Sequence, residues 1–151
     1  MSPENIAIIE QRKAAFQGFY AELMPALVDF IGRIGINPAH HVLNQAKQYA
    51  AYVEQALQDM SVTNDEDRTW LLTRVGYYVG EYFAQKFGGA WYVNDIEGSR
   101  YFGRYVVGKF EKTGNLAAMI DPFEIAQAYV DNAVPRKLTT LLSEVESELV
   151  A

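Results

Sequence analysis

The sequence predicts a single α+β domain over residues 1–151, with three helices, a small antiparallel sheet and two further helices. Apolar residues recur every three or four positions through the first half of the chain, which is the period of an amphipathic helix. The segments AWYVND and YFGRYVVGKF are instead rich in aromatic and β-branched residues, which favours strands. The helical period returns after Pro122, so the chain passes from helix to strand and back to helix.

The first predicted helix is long and kinked. Ser2 and Pro3 form an N-cap followed by a favoured first-turn residue. Its apolar stripe consists of Ile6, Ile9, Phe16, Tyr20, Leu23, Leu27, Phe30 and Ile34. Pro25 removes one helical hydrogen bond, but the stripe continues across it. A kink is therefore favoured, with an end of the helix at Pro25 as the alternative.

A second helix is predicted to open at Asn37, as N-cap, and Pro38, as first residue. Its shared apolar face consists of Val42, Ala46, Tyr49, Val53, Leu57 and Met60. The helix is expected to end near Met60.

The third helix is predicted over residues 65–88. Thr63 and Glu66 have the spacing of a capping box at its start. The pair Gly88 and Gly89 is expected to end it, because glycine enters the left-handed cap without penalty.

The two strand segments are separated by the turn-like IEGSR and predict a hairpin. A third strand over 115–120 is left open. Asp121 is predicted to cap the next helix, with Glu124 at the capping-box position. Pro135 should break or kink that helix, and Leu138, Leu141, Leu142, Val145 and Leu149 define the last amphipathic segment.

Four residues of the third helix, Gly76, Gly80, Phe83 and Phe87, lie along one stripe. Each glycine costs about 1 kcal/mol of helix propensity relative to alanine, so another interaction must offset that loss. One interpretation is close packing of another helix or of the sheet. The other is a groove that admits a ligand or a side chain of a partner protein.

A neighbouring stripe of the same helix is polar and consists of Arg74, Tyr77, Glu81 and Gln85. Tyr77 and Glu81 are one turn apart and within reach of a hydrogen bond, and Arg74 reaches the same neighbourhood. Charges of both signs are typical of a solvated helix face, which is the expectation here. Catalysis at this stripe is the less favoured alternative.

The composition limits the classes of function. The formal charge of −6 disfavours nucleic acid and anionic lipid and favours a protein partner with a basic surface. The chain has no cysteine, and no apolar run approaches the roughly 20 residues of a membrane span. The N-terminus lacks the features of a signal peptide, so the protein is predicted to be cytoplasmic.

Known site motifs are missing from the sequence. His40 and His41 are adjacent on a helix, where they point about 100° apart and lack a third ligand, so no metal is predicted. No phosphate loop, dinucleotide fingerprint or nucleophile elbow occurs, so no cofactor is predicted. The segment RYFGRYVVGKFEK is basic and aromatic, but the order of elements lacks the framework of RNA-binding sheets.

The order of GYYVGE at 76–81, GGAW at 88–91, a short sheet and DPF at 121–123 resembles a group of small bacterial α+β domains of unknown function. The resemblance covers the central third of the chain. Some members of that group lie near polymorphic toxin and immunity loci, which implies an immunity-type role. The group implies no catalytic residues.

These observations predict a non-catalytic protein-binding domain, with an immunity-type protein of a bacterial toxin neighbourhood as the specific version. One alternative is a small enzyme or ligand-binding domain with a pocket between helix 65–88 and the sheet. A second is a structural homo-oligomer, because the first helix carries a nearly heptad apolar stripe.

Overall fold

The computed structural model describes residues 1–150 and has the predicted α+β architecture. Its helices are α1 Pro3–Arg33, α2 Val42–Gln45, α3 Ala50–Leu57, α4 Asp65–Phe87, α5 Pro122–Asp131 and α6 Leu138–Val150. Its strands are β1 Ala90–Val93, β2 Tyr105–Phe110 and β3 Asn115–Ile120, and they form an antiparallel sheet in the order β1-β2-β3. The third strand, which the sequence left open, is therefore present.

Helix α1 begins as predicted and runs through Pro25 without ending. The hydroxyl of Ser2 caps it by accepting a hydrogen bond from the backbone N–H of Asn5 at 3.1 Å. Four residues of the predicted stripe are buried, whereas Ile6 and Tyr20 are exposed, and the buried residues are Ile9, Leu23, Leu27 and Phe30. Among residues 1–150, no helix combines the length and the apolar character needed to span a membrane.

The prediction of one continuous second helix is wrong. Helices α2 and α3 are separated by a 3-10 turn over Ala46–Tyr49. A second 3-10 turn over Ala39–His41 follows Pro38, where the sequence predicted the start of an α-helix capped by Asn37. The side chain of Gln85 on α4 inserts at the break. Its oxygen accepts from the N–H of Ala46 at 2.8 Å, and its nitrogen donates to the carbonyl of Val42 at 2.9 Å. In a continuous helix the N–H of Ala46 would donate to the carbonyl of Val42. The Gln85 side chain replaces that hydrogen bond with one bond to each of the two groups.

Helix α4 is capped differently at its start from the prediction. Asn64, and not Thr63, is the N-cap, and its side-chain oxygen accepts from the N–H of Asp67 at 2.8 Å. The predicted end is confirmed, since Gly88 adopts the left-handed conformation with φ of 69°.

The hairpin and the following cap agree with the sequence in part. The predicted strand segments pair, but residues 101–104 form turns in a connection longer than IEGSR. Asp121 caps α5 as predicted, with its oxygen accepting from the N–H groups of Phe123 and Glu124 at 2.9 and 3.3 Å. The chain leaves helical geometry between α5 and α6, where Pro135 lies.

The sheet and α5 pack directly against the face of α4 that carries Gly76 and Gly80. A Cβ atom at Gly80 would overlap the Trp91 ring of β1, and one at Gly76 would lie 2.5 Å from Cδ1 of Phe123 on α5. The packing interpretation of the two glycines is therefore confirmed. The rings occupy the volume that a side chain at either position would need.

We expect Gly80→Ala to destabilise the fold by about 1–3 kcal/mol, because the Trp91 ring must move. The helix propensity of alanine acts in the opposite direction by only about 1 kcal/mol. Gly18→Ala is the matched control, since a Cβ there meets open space and should stabilise the fold. Urea unfolding measures both changes, and a Gly80→Ala variant as stable as the wild type would contradict the packing argument.

Candidate functional site

The four residues of the predicted groove form a seam of the core. Gly76 and Gly80 are covered by Phe123 and Trp91, and Phe83 is fully buried. The half-buried Phe87 ring lies 6.0 Å from Phe83, measured between ring centroids. The structure therefore leaves no open space for a ligand at the two glycines.

The expectation that Arg74, Tyr77 and Glu81 form a solvated face is wrong. Tyr77 and Glu81 are buried, and Arg74 is half-buried with its guanidinium 4.5 Å from the Trp70 ring centroid. The cause is α1, which crosses this face. The Phe19 ring of α1 lies edge-on to Tyr77, with 6.2 Å between the ring centroids.

Glu81 is a buried carboxylate with an indole donor. Its Oε2 accepts from Nε1 of Trp91 at 3.0 Å, and only 5% of the residue is exposed. Burial raises the pKa of Glu81, while hydrogen bonds from Trp91 and Gln85 act in the opposite direction. The carboxylate is thus held at the junction of α1, α4 and β1 in an environment that favours its neutral form.

This shift sets the sign of a pH effect on stability. Because the pKa of Glu81 is higher in the folded state than the unfolded value of 4.5, the folded state binds the proton more tightly. Stability should therefore fall as the pH rises from the unfolded pKa through the folded pKa.

We expect Glu81→Gln to flatten this part of the stability profile and to stabilise the protein above it. The amide oxygen still accepts from Trp91 but carries no charge to desolvate. The exposed Glu10→Gln is the control and should leave the profile unchanged. Urea unfolding at a series of pH values measures the effect, and a steeper profile for Glu81→Gln would refute it.

A surface cavity of about 440 Å³, here called the α1–sheet groove, lies between the first half of α1 and the sheet. It is lined by Lys13, Phe16, Tyr92, Val93, Asn94, Asp95, Ile96, Lys109, Leu116, Ala117 and Met119. Trp91 faces α4, so its neighbour Tyr92 faces the opposite side of the sheet. The groove thus lies on the face away from α4, and not between α4 and the sheet as the ligand-binding alternative expected.

Tyr92 forms the floor of the groove because β2 has a glycine beneath it. A Cβ atom at Gly108 would lie 2.8 Å from the Tyr92 hydroxyl oxygen and 2.8 Å from the carbonyl oxygen of Ala118. Above the ring, Nζ of Lys109 is 4.4 Å from the ring centroid, within the range of a cation–π contact.

Lys109 has an unusual backbone conformation. Its φ is +56°, and within residues 1–150 it is the only residue other than glycine with a positive φ. It sits at the irregularity of the β2–β3 ladder between Gly108 and Phe110. Bulges of this kind redirect side chains, and the left-handed conformation costs roughly 1–2 kcal/mol. Here the side chain is directed over Tyr92.

The charged groups of the groove are unequally paired. Nζ of Lys13 binds Oδ2 of Asp95 at 2.9 Å. That contact lowers the pKa of Asp95, and the charge of Lys109 is the smallest cause in the same direction. Across residues 1–150 Lys109 makes no ion pair within 4 Å.

Two large aliphatic side chains stand at the rim of the groove. Leu116 on β3 is 63% exposed and Ile96 is 56% exposed. With the rings of Phe16 and Tyr92 and the thioether of Met119, they make the lining mainly apolar. Such a surface is suited to contact with another apolar group.

No family model, curated protein or solved structure matches this chain. His40 and His41 lie in the 3-10 turn before α2, with their ring centroids 4.4 Å apart. In the part of the chain that the structure describes, no three side chains of the metal-binding types are grouped to hold an ion.

The sequence did not predict the groove, and it singled out only one segment that lines it, without assigning a site there. The segment RYFGRYVVGKFEK contains Lys109, and Gly108 within a strand pattern is the signal of a bulge. The other walls come from α1, from residues 92–96 and from β3. These segments come together only in the tertiary fold, so no local sequence pattern predicts the groove.

We expect Lys109→Gly to be more stable than Lys109→Ala by about 1 kcal/mol. Both variants lose the contact with Tyr92, but only glycine adopts a positive φ without strain. Urea unfolding of the two variants gives the difference directly. Equal stability, or a more stable alanine variant, would show that the positive φ is not maintained.

Proposed function

We propose that this chain is a non-catalytic protein-binding domain and that the α1–sheet groove receives an apolar segment of its partner. The observation that carries the proposal is the exposed pair Leu116 and Ile96 at the rim of a groove with an aromatic floor. Aromatic residues and methionine are enriched at protein interfaces, and the groove contributes Phe16, Tyr92 and Met119.

An immunity-type protein of a bacterial toxin neighbourhood is the specific form of this proposal. The resemblance of the central third of the chain to small domains near toxin and immunity loci supports it. The formal charge of −6 also supports it, since it favours the approach of a partner with a basic surface.

The groove allows a decisive experiment. We expect Leu116→Glu to weaken partner binding by tenfold or more, because it places a charge where an apolar group docks. Tyr52→Glu is the control, since Tyr52 is 60% exposed on α3, outside the groove. The wild-type chain is used to isolate the partner from a bacterial lysate, and calorimetry then measures the affinity of each variant.

The outcomes separate the alternatives. Docking in the groove would be contradicted if Leu116→Glu and Tyr52→Glu reduced the affinity for the partner equally, or if neither variant reduced it. Light scattering that shows a dimer dissociated by Leu116→Glu would identify a second copy of the chain as the occupant. For the immunity-type form, expression of the isolated partner alone should arrest growth, and co-expression of the wild-type chain should restore it.

A further inference from the structure

The charge of the α1–sheet groove is opposite to that of the whole chain. Lys13 and Lys109 contribute two positive charges and Asp95 one negative charge, so the lining carries one net positive charge. The chain as a whole carries −6. A group that enters the groove therefore meets a local positive charge, although the net charge of the chain is negative.

The unpaired cation is Lys109. Its ammonium group lies over the Tyr92 ring, which contributes no negative charge, and none of the ion pairs within residues 1–150 includes it. The left-handed backbone at the bulge directs it there. Backbone strain of this kind persists where the surrounding structure enforces it, and it concentrates at functional sites.

Asp95 does not satisfy Lys109, because its short contact is made with Lys13. That pair is exposed on both sides, with 54% and 52% of the two side chains accessible, so it is weak. A carboxylate entering the groove therefore meets one free ammonium group and a second that is loosely held.

We propose that the groove selects an extended partner segment in which a carboxylate is flanked by large apolar side chains. The carboxylate binds Nζ of Lys109, and the apolar side chains contact Tyr92, Met119 and Leu116. This inference rests on the proposed function and adds the chemistry of the segment that binds.

The shape of the site favours a protein segment over a small acid. The groove crosses all three strands, from Tyr92 on β1 through Lys109 on β2 to Leu116 on β3. Strand β3 has a strand neighbour on one side only, and Asn115, Leu116 and Ala117 are exposed. An extended chain fits an open groove that ends at an exposed strand edge.

Selection from a random library of displayed 12-residue peptides on the immobilised full-length chain tests the inference. We expect the enriched peptides to carry Asp or Glu beside Leu, Ile or Phe. The strongest peptide is then synthesised, together with an analogue in which each carboxylate is replaced by its amide. Calorimetry measures both peptides against the wild type, Lys109→Met, Lys47→Met and Leu116→Glu.

Lys109→Met keeps the aliphatic stem and the side-chain bulk but removes the charge, and it should weaken binding of the acidic peptide about tenfold. The amide analogue should bind wild type and Lys109→Met equally. Lys47→Met is the matched control, because Lys47 is exposed and lies outside the groove, and it should change the affinity less than twofold.

The proposed function and this inference fail in different ways. If the amide analogue binds the wild type as tightly as the acidic peptide, and Leu116→Glu still abolishes binding, the carboxylate inference is overturned and groove binding stands. If Leu116→Glu has no effect on any selected peptide, or no peptide is enriched, both are overturned.

Discussion

The close contact between the Trp91 ring and the backbone of α4 at Gly80 is the constraint on which the rest of the structure depends. It places the sheet directly on the central helix, and the contact of Phe123 with Gly76 does the same for α5. Each glycine costs about 1 kcal/mol of helix propensity. Burial of a large aromatic ring stabilises by roughly 1.5–3 kcal/mol or more, so packing outweighs propensity.

This contact also determines what lies on either side of the sheet. With Trp91 directed at α4, its indole N–H reaches Glu81, and the Phe19 ring of α1 lies edge-on to it with 5.4 Å between centroids. Tyr92 must then face the other way, because side chains alternate along a strand. The contact of the buried carboxylate with Trp91 and the position of Tyr92 in the α1–sheet groove thus both follow from the alternation of side chains along β1.

Two polar side chains bind the backbone where the helices are interrupted. Gln85 bonds the backbone of Val42 and Ala46 and thereby separates α2 from α3. Arg136 is 5% exposed and donates to the carbonyl oxygens of Val130, Leu57 and Met60 at 3.3, 3.4 and 2.8 Å. Those carbonyls lie at or just beyond the ends of α3 and α5, where a cation is favourable and where backbone acceptors lack helical partners.

The sequence by itself determined the types of the elements and several of their ends. Ser2, Gly88 and Asp121 act on backbone groups within a few residues, so their roles follow from local chemistry. The packing role of Gly76 and Gly80 was one of two interpretations, and it needed the partners Phe123 and Trp91 to decide it.

Only the tertiary structure decided which polar residues are buried and where an open groove remains. Tyr77 and Glu81 have the spacing of a solvated face, and they are buried because α1, about 60 positions earlier in the chain, crosses them. The α1–sheet groove combines α1, β1, β2 and β3 in the same way. The burial of a residue depends on which distant segment packs against it. The periodic pattern within one helix contains no information about that segment.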